Sequence, residues 1–107
     1  MTDMIKNIRL AIIIRLTPER WNHVIEAHPE LKDYKSLLIE TVRNPDQIFY
    51  SEITTQFILM KSFQNFITDH LIVYVKKLET DAFVVTSHPI SNKKLRRALR
   101  KWKKWNP

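Results

Sequence analysis

Residues 17–31 read Thr17-Pro-Glu-Arg-Trp-Asn-His-Val-Ile-Glu-Ala-His-Pro-Glu-Leu31, and this stretch carries signals for both ends of a helix. Thr17 is a typical N-cap residue, and Pro18 suits the first helical position because it has no N–H to leave unpaired. Pro29 ends the helix after His28, since a proline restricts the residue before it and interrupts the hydrogen-bond ladder. The stretch therefore predicts one short helix with defined ends.

Several side chains of this helix can move protons or hold phosphate. His28 falls on the apolar face of a helical wheel, with Arg20 and His23 on its flank. The apolar members of that face are Trp21, Val24 and Ile25. An inward His28 either hydrogen-bonds a strand carbonyl as a structural residue or serves as an acid or base near neutral pH. The helix alone leaves both interpretations open.

The histidines lack the spacing of a metal site. His23 and His28 are five positions apart, whereas two ligands on one helix face are four apart. His70 and His88 lie elsewhere in the chain, and no carboxylate stands at ligand spacing from any of the four. We therefore expect no metal ion and no cofactor.

The chain has no cysteine, which excludes disulfides and favours a reducing, cytoplasmic location.

At 107 residues the chain is expected to form a single domain, with a core over about residues 8–90. It contains no glycine, which excludes glycine-rich phosphate and dinucleotide loops, so turns should use Asn, Asp, Ser or Pro. The longest apolar run, residues 10–14, is far shorter than a membrane span of about 20 residues. Asp3 and Arg9 interrupt any signal-peptide pattern. A membrane location is not expected.

The remaining elements follow from hydrophobic periodicity. Residues 8–16 are rich in Ile and Leu and predict a strand, and apolar residues at helical spacing predict a second helix over 34–44. Further apolar, β-branched runs predict four strands, over about 47–52, 56–63, 70–78 and 82–88. Short connections between these strands favour an antiparallel meander. The predicted fold is α+β, with two N-terminal helices packed on a four-stranded antiparallel sheet, an N-terminal strand and a basic C-terminal helix.

The positive charge is concentrated at the end of the chain. Residues 1–92 carry ten Lys and Arg against eleven Asp and Glu, whereas residues 93–107 carry eight Lys and Arg and no acid. We expect a helix over about 92–105 whose basic face attracts RNA phosphates, an acidic protein groove or a membrane surface, or simply stays solvated. Its cations are Lys93, Lys94, Arg96, Arg97, Arg100, Lys101, Lys103 and Lys104.

Polar side chains in the last two predicted strands form a second candidate set. Strand alternation places Tyr74 and Lys76 on one face of their strand. It likewise places Val84, Thr86 and His88 on one face of the next strand. These polar groups are either ordinary solvated strand ends or a phosphate-sized patch beside the first helix.

Four motifs occur in an order and spacing that resemble a known nuclease family. They are Arg15-Leu-Thr-Pro-Glu-Arg-Trp-Asn-His-Val with His28-Pro-Glu-Leu31, then Asn44-Pro-Asp-Gln-Ile48, Val73-Tyr-Val-Lys76 and Phe83-Val-Val-Thr86. Over residues 15–88 the chain resembles the phage- and toxin-associated branch of the barnase–EndoU–colicin–RelE (BECR) nuclease superfamily. Ser87-His88 and the basic tail lie outside the family pattern.

This resemblance implies an α+β fold and metal-independent RNA cleavage, often by the toxin of a toxin–antitoxin pair or by a phage effector. It makes RNA the expected partner, together with a possible antitoxin protein. The positions that match the family pattern are Arg20, His23, His28, Lys76 and Thr86.

These observations lead to the hypothesis of a ribonuclease that uses the RNA 2′-hydroxyl as internal nucleophile and leaves a 2′,3′-cyclic phosphate. Such chemistry needs a base for the 2′-hydroxyl and an acid for the departing 5′-oxygen. His28 would fill one of these roles, with His23 or His88 as the second proton carrier.

The same hypothesis assigns the remaining site residues to the phosphate. Lys76 with Arg20 would stabilise the charge that develops on phosphorus, and Thr86 would hold a phosphate oxygen. One rival hypothesis is a non-catalytic RNA- or protein-binding module on the same fold. Another makes the last helix a docking segment for an antitoxin.

Overall fold

The structure, a computed structural model, describes residues 1–64 and 66–105. Within these ranges the chain forms seven strands and three α-helices, with a 3₁₀ turn at Pro29–Leu31. The strands are β1 (Asp3–Asn7), β2 (Ile12–Leu16), β3 (Gln47–Ser51), β4 (Gln56–Ser62), β5 (His70–Lys77), β6 (Ala82–Ile90) and β7 (Lys103–Lys104). The helices are α1 (Pro18–Ala27), α2 (Lys35–Arg43) and α3 (Asn92–Ala98).

The strands form one mixed sheet in the order β1-β2-β6-β5-β4-β3-β7. Strands β3 to β6 pair antiparallel with their neighbours in sequence, and β2 pairs parallel with β6. The prediction of a four-stranded antiparallel sheet with a separate N-terminal strand is therefore wrong. The sheet is larger because the β1–β2 hairpin adds to it beside β6 and the short β7 adds to it beside β3.

Helix α1 begins and ends where its sequence predicts. The Thr17 hydroxyl accepts a hydrogen bond from the Arg20 N–H at 3.2 Å, Pro18 opens the helix, and His28 is the C-cap residue. Helix α2, predicted over 34–44, spans Lys35–Arg43 and buries Leu38, Thr41 and Val42. In the described ranges no helix combines the length and the apolar character needed to cross a membrane.

The first predicted strand divides into a turn and a strand. Residues 8–11, which we expected to be extended, form the turn between β1 and β2. The buried Asn7 fixes this turn, because its side chain donates to the Val42 carbonyl at 2.7 Å and accepts from the Leu10 N–H at 2.8 Å. Leu10 itself is buried in the core. Because residues 8–11 are mostly apolar, hydrophobic periodicity did not predict this turn.

Two turns place residues other than glycine in the left-handed backbone region. Ala11 has φ 56° in the β1–β2 turn, and Thr55 has φ 53° in the β3–β4 turn. The expectation that turns would use Asn, Asp, Ser or Pro is wrong at both positions. A left-handed conformation costs an L-residue about 1–2 kcal/mol, and a β-branched threonine is less suited to it than alanine. Both turns therefore carry local strain.

Hydrophobic cores cover both faces of the sheet. On the larger face, α1 and α2 bury their apolar side chains against the strands, in a cluster that includes Ile14, Val24, Leu38, Leu59, Val73 and Val84. The smaller core, on the opposite face, joins α3 to the strands through Phe49, Ile58, Met60, Ile72, Ile90 and Leu95. The β6 side chains on this second face between Phe83 and His88 are only partly buried. It is there that polar groups converge.

The C-terminal helix is shorter than predicted. It ends at Ala98, and residues 103–104 instead pair with β3 as β7. The prediction rested on Trp102 and Trp105 sharing a helix face, as residues three apart do. In the structure Trp102 packs against the smaller core and Trp105 against the larger one. An extended segment at the sheet edge permits this, because strand residues three apart point to opposite faces.

The strained turn gives a prediction for stability. Replacing Ala11 by glycine should raise the free energy of unfolding by roughly 0.5–1 kcal/mol, because relief of the left-handed strain exceeds the added flexibility of the unfolded chain. Urea denaturation followed by circular dichroism would measure it. The matched control is Ala27→Gly in α1, which should lower stability. Equal destabilisation by both variants would contradict the strain assigned to Ala11.

Candidate functional site

Helix α1 lies along the part of β6 that β2 leaves unpaired. Within the described ranges β2 and β6 share one register pair, Arg15 with Phe83, while β6 extends well beyond it. Helix α1 follows β2 and contacts β6. The Arg20 guanidinium carbon lies 6.0 Å from the centre of the Phe83 ring, and the rings of His28 and His88 are 5.6 Å apart. We call this strip, from Arg20 to His28 along β6, the α1–β6 groove.

A β-bulge decides which side chains of β6 face the groove. Tyr74 is the register partner of Thr86, but the next residue, Val75, is the partner of Val84. One residue of β6 is thus unpaired, and the alternation of faces shifts there. Thr86 and His88 share the partly exposed face with Tyr74, whereas Val84 is fully buried in the larger core. The prediction that Val84 shares a face with Thr86 and His88 is wrong, because strict alternation does not survive a bulge.

At the histidine end of the groove, His88 contacts two other rings. Its centre lies 5.6 Å from that of His28 and 5.4 Å from that of Tyr74. Its Nδ1 is 3.0 Å from the Pro89 carbonyl oxygen, and its Nε2 is 3.0 Å from the Tyr74 hydroxyl. A carbonyl oxygen only accepts, so Nδ1 carries the proton and Nε2 accepts from Tyr74. The half-buried His28 has its Nδ1 3.6 Å from a Glu30 carboxylate oxygen.

Burial determines the protonation of the Tyr74–His88 pair. Desolvation lowers the pKa of His88 below its ordinary value, and the charges of His28 and Lys94 lower it further, against a raising effect of the Pro89 carbonyl. Desolvation also raises the pKa of Tyr74. Near neutral pH the pair therefore consists of a neutral imidazole and a protonated phenol.

At the other end of the groove, Phe83 contacts one cation of α1, Arg20, and is paired through the backbone with another cation, Lys76 of β5. The Lys76 ammonium donates to the Thr54 carbonyl at 3.4 Å and to the Thr55 hydroxyl. The strained β3–β4 turn thus holds the lysine in place. Across residues 1–64 and 66–105, Arg20 forms no ion pair with a carboxylate.

Arg15 supports the same ring from β2. Its guanidinium carbon lies 6.0 Å from the centre of the Phe83 ring. Its Nε and Nη2 donate to the two carboxylate oxygens of Asp81 at 2.9 and 2.6 Å. The hydrogen bonds and charges of this pair raise the pKa of Arg15 and lower that of Asp81. Arg15 is therefore both fixed and neutralised locally, unlike Arg20.

The residues predicted to form one site divide between the two ends of the groove. His28 lies with His88, Arg20 lies against Phe83, and the Lys76 ammonium is held by Thr54 and Thr55. His28 is eight positions after Arg20, which corresponds to about 12 Å along the helix axis. The structure thus does not bring these two side chains to one point.

Two further predicted residues take different positions. Thr86 lies between the ends of the groove, as the register partner of Tyr74. His23 is exposed on α1. In the described part of the chain its side chain makes no hydrogen bond to protein, no ion pair and no ring contact. Nothing in the geometry connects His23 with the groove.

The basic segment, residues 93–104, borders the histidine end. All eight of its predicted cations are exposed. The positive charge of Lys94 is close enough to lower the pKa of His88, and the Trp102 ring meets Tyr74 edge-on at 6.1 Å. Lys103 forms an ion pair, with its ammonium 2.6 Å from a carboxylate oxygen of Glu52. The segment therefore adds positive charge beside the groove.

Sequence reasoning missed Tyr74 and Phe83 as site residues. Alternation correctly placed Tyr74 beside Lys76, but the contact with His88 joins residues fourteen positions apart and depends on the strand register. A phenylalanine is common in strands, so Phe83 by itself does not indicate a site. Only the bulge reveals that it faces the groove, because regular alternation would put it opposite Thr86. The available signal was that Phe83 opens the Phe83-Val-Val-Thr86 motif.

A second histidine cluster lies at the far end of β4 and β5. His70 bridges Ser62 and Asn92, with its ring nitrogens 2.6 Å from the serine hydroxyl and 2.5 Å from the amide oxygen. The carboxylates of Asp46 and Asp69 accept from the backbone N–H groups of Ser62 and Asn92. The Asp46 carboxylate, so near the serine, opposes an anionic intermediate, so we interpret the cluster as structural. In the described ranges no group of three or more His, Asp or Glu side chains could hold a metal ion.

Comparisons with known proteins do not place the chain in a family. No family model, curated protein or solved structure matches it. The BECR resemblance stays a prediction from the sequence motifs.

The lowered pKa of His88 predicts how stability depends on pH. The unfolded chain takes up a proton at His88 near its ordinary pKa of 6.5, but the folded chain does so only at lower pH. The free energy of unfolding should therefore fall as the pH is lowered through about 6.5, and His88→Gln should weaken this dependence. Urea denaturation at several pH values tests it, with exposed His23→Gln as control. An unchanged pH dependence in His88→Gln would show that His88 is not buried in its neutral form.

Proposed function

We propose that this protein is a metal-independent endoribonuclease that cleaves RNA through its 2′-hydroxyl. The observation that supports this most strongly is the histidine end of the groove. There two imidazole ring centres lie 5.6 Å apart, one at the end of α1 and one on a partly exposed sheet face, and the ring on the sheet is hydrogen-bonded to a tyrosine hydroxyl. Two proton carriers at this separation suit a reaction in which one group removes a proton while another supplies one.

The Tyr74–His88 pair acts as the base. The Tyr74 oxygen accepts the proton of the 2′-hydroxyl while its own proton passes to His88 Nε2. The freed 2′-oxygen attacks phosphorus, the bond from phosphorus to the 5′-oxygen breaks, and a 2′,3′-cyclic phosphate remains. The lowered pKa of His88 keeps its ring neutral and ready to accept this proton.

His28 acts as the acid. It donates a proton to the departing 5′-oxygen, and Glu30 lies near enough to form an ion pair with the protonated ring. Thr86, beside Tyr74 in the sheet, binds a phosphate oxygen. Lys76 is two residues from Tyr74 on the same face of β5, about 7 Å along the strand. It supplies positive charge on that side of the phosphate.

The basic segment supplies affinity that does not depend on RNA sequence. Its exposed cations border the reacting groups and attract the phosphate backbone. A biological role as the toxin of a toxin–antitoxin pair, or as a phage-related effector, rests on the BECR resemblance alone. In that role a cognate antitoxin would be an acidic protein that covers the basic segment or the groove.

The second candidate function is a non-catalytic RNA-binding module. One observation favours it: Tyr74 and His88 satisfy each other's hydrogen-bonding groups, as a purely structural pair would. Such a module would bind RNA through the basic segment and leave it intact. The two candidates therefore differ in what happens to the RNA.

The activity test uses purified protein and single-stranded RNA in the presence of a chelator. We expect cleavage with cyclic phosphate ends, and we expect His28→Ala to reduce the rate at least 100-fold, the usual contribution of a general acid or base. Product ends are identified by mass spectrometry. His23→Ala is the matched control, because His23 is exposed on the same helix and its side chain contacts none of the proposed reacting groups in the described ranges. If wild-type protein cleaves no faster than His28→Ala, the catalytic assignment is wrong.

A second test concerns the basic segment. Changing Arg96, Arg97 and Lys101 to glutamine should lower the slope of log affinity against log salt for single-stranded RNA by about 2, since each lost phosphate contact removes about 0.7. Fluorescence anisotropy at several salt concentrations measures the slope. The control removes the same charge from other elements, through Arg9, Lys32 and Arg43. Equal slopes in both triple variants would mean that the segment does not contact RNA.

A further inference from the structure

The Arg20–Phe83 end of the groove forms a site of its own. We infer that Phe83 and Arg20 make a nucleotide subsite that binds a base and phosphate of single-stranded RNA a short distance from the bond that is cut. The inference rests on the proposed function for the place of cleavage. Binding of RNA at this subsite, however, is separate from the chemistry and can be measured without it.

The distance between the two ends of the groove separates their roles. Arg20 and His28 are about 12 Å apart along α1, and Phe83 and His88 are at most about 16 Å apart along β6. The helix and the strand run alongside each other over this length, because Arg20 contacts Phe83 at 6.0 Å and His28 contacts His88 at 5.6 Å. A guanidinium held against Phe83 therefore does not reach a phosphate placed between His28 and His88. It meets a different nucleotide of the same strand.

The side chains at this end fit a nucleotide in chemistry. Phe83 is partly exposed on the open face, and an aromatic ring offers a stacking surface to any base. Arg15 lies against the ring but is neutralised by Asp81. Arg20 has no carboxylate partner in the described part of the chain, so its charge remains for a phosphate.

The geometry favours single-stranded RNA over a duplex. A base can stack on the exposed part of the Phe83 ring only when it is turned away from a partner strand. A stacked strand advances about 3.4 Å per nucleotide. The 12 Å between the two ends thus corresponds to at most about four nucleotides. Substrates that cover only the histidine end would miss the subsite.

The test uses oligonucleotides with one reactive position. An octanucleotide that is 2′-O-methylated except at one central residue can be cut at one bond, and a dinucleotide with the same bond covers the histidine end alone. We expect Phe83→Leu and Arg20→Gln each to raise KM for the octanucleotide about tenfold, a typical loss for one stacked base, and to leave its kcat unchanged. The kcat/KM of the dinucleotide should not change in either variant. Phe83→Trp should restore the octanucleotide KM.

Matched controls come from equivalent residues elsewhere. Arg43→Gln removes an exposed arginine from α2, and Phe63→Leu removes a partly buried phenylalanine that packs against the larger core. Neither should change KM. If Phe83→Leu lowers kcat for both substrates, or changes neither KM, the subsite is wrongly assigned. If Phe83→Leu fails to fold, Arg20→Gln at an exposed position decides the question in the same way.

Binding measurements separate this inference from the proposed reaction. A fully 2′-O-methylated octanucleotide cannot be cut, so its Kd reports the groove alone. The subsite predicts weaker binding by Phe83→Leu and Arg20→Gln even if the protein cleaves no RNA at all. Cleavage without any effect of these variants on Kd or KM would keep the ribonuclease and overturn the subsite.

Discussion

The site depends on how briefly β2 pairs with β6. Their register is limited to the Arg15–Phe83 pair, after which the chain turns into α1. A longer parallel pairing would have covered β6 with another strand. Because it stops, α1 takes its place along β6 and forms one wall of the groove. Thr17 and Pro18 start the helix directly after β2, so a local capping signal determines where that strand must end.

The β-bulge after Tyr74 has the second decisive effect. It turns Phe83 and Thr86 toward the same face, although they would point to opposite faces in a regular strand. As a result, the Arg20–Phe83 end and the His28–His88 end of the groove lie along the same face of β6. The larger core still closes beneath them, because Val75 and Val84 remain paired and buried. One unpaired residue in β6 thus lets the apolar core continue on one face of the sheet while polar side chains lie on the other.

Charge and aromatic packing act together at the C-terminal segment. Eight cations in twelve residues repel one another, and a long helix would hold them close together. The chain instead leaves the helix after Ala98 and packs Trp102 and Trp105 on opposite faces of the sheet. The packing of two indole rings against the cores stabilises this arrangement more than a continued helix would. The cations stay exposed, and some of them lie beside Tyr74 and His88.

The sequence by itself determined α1 with its caps, α2, the strand-forming segments of β3 to β6, the uneven charge and the chemical type of most candidate residues. These are local properties, since capping, periodicity and composition act within a few residues. Only the tertiary structure decided the mixed seven-stranded sheet, the bulge, the Tyr74–His88 contact and the separation of Arg20 from His28. Each of these depends on strand register and on packing between distant segments, which no local pattern encodes.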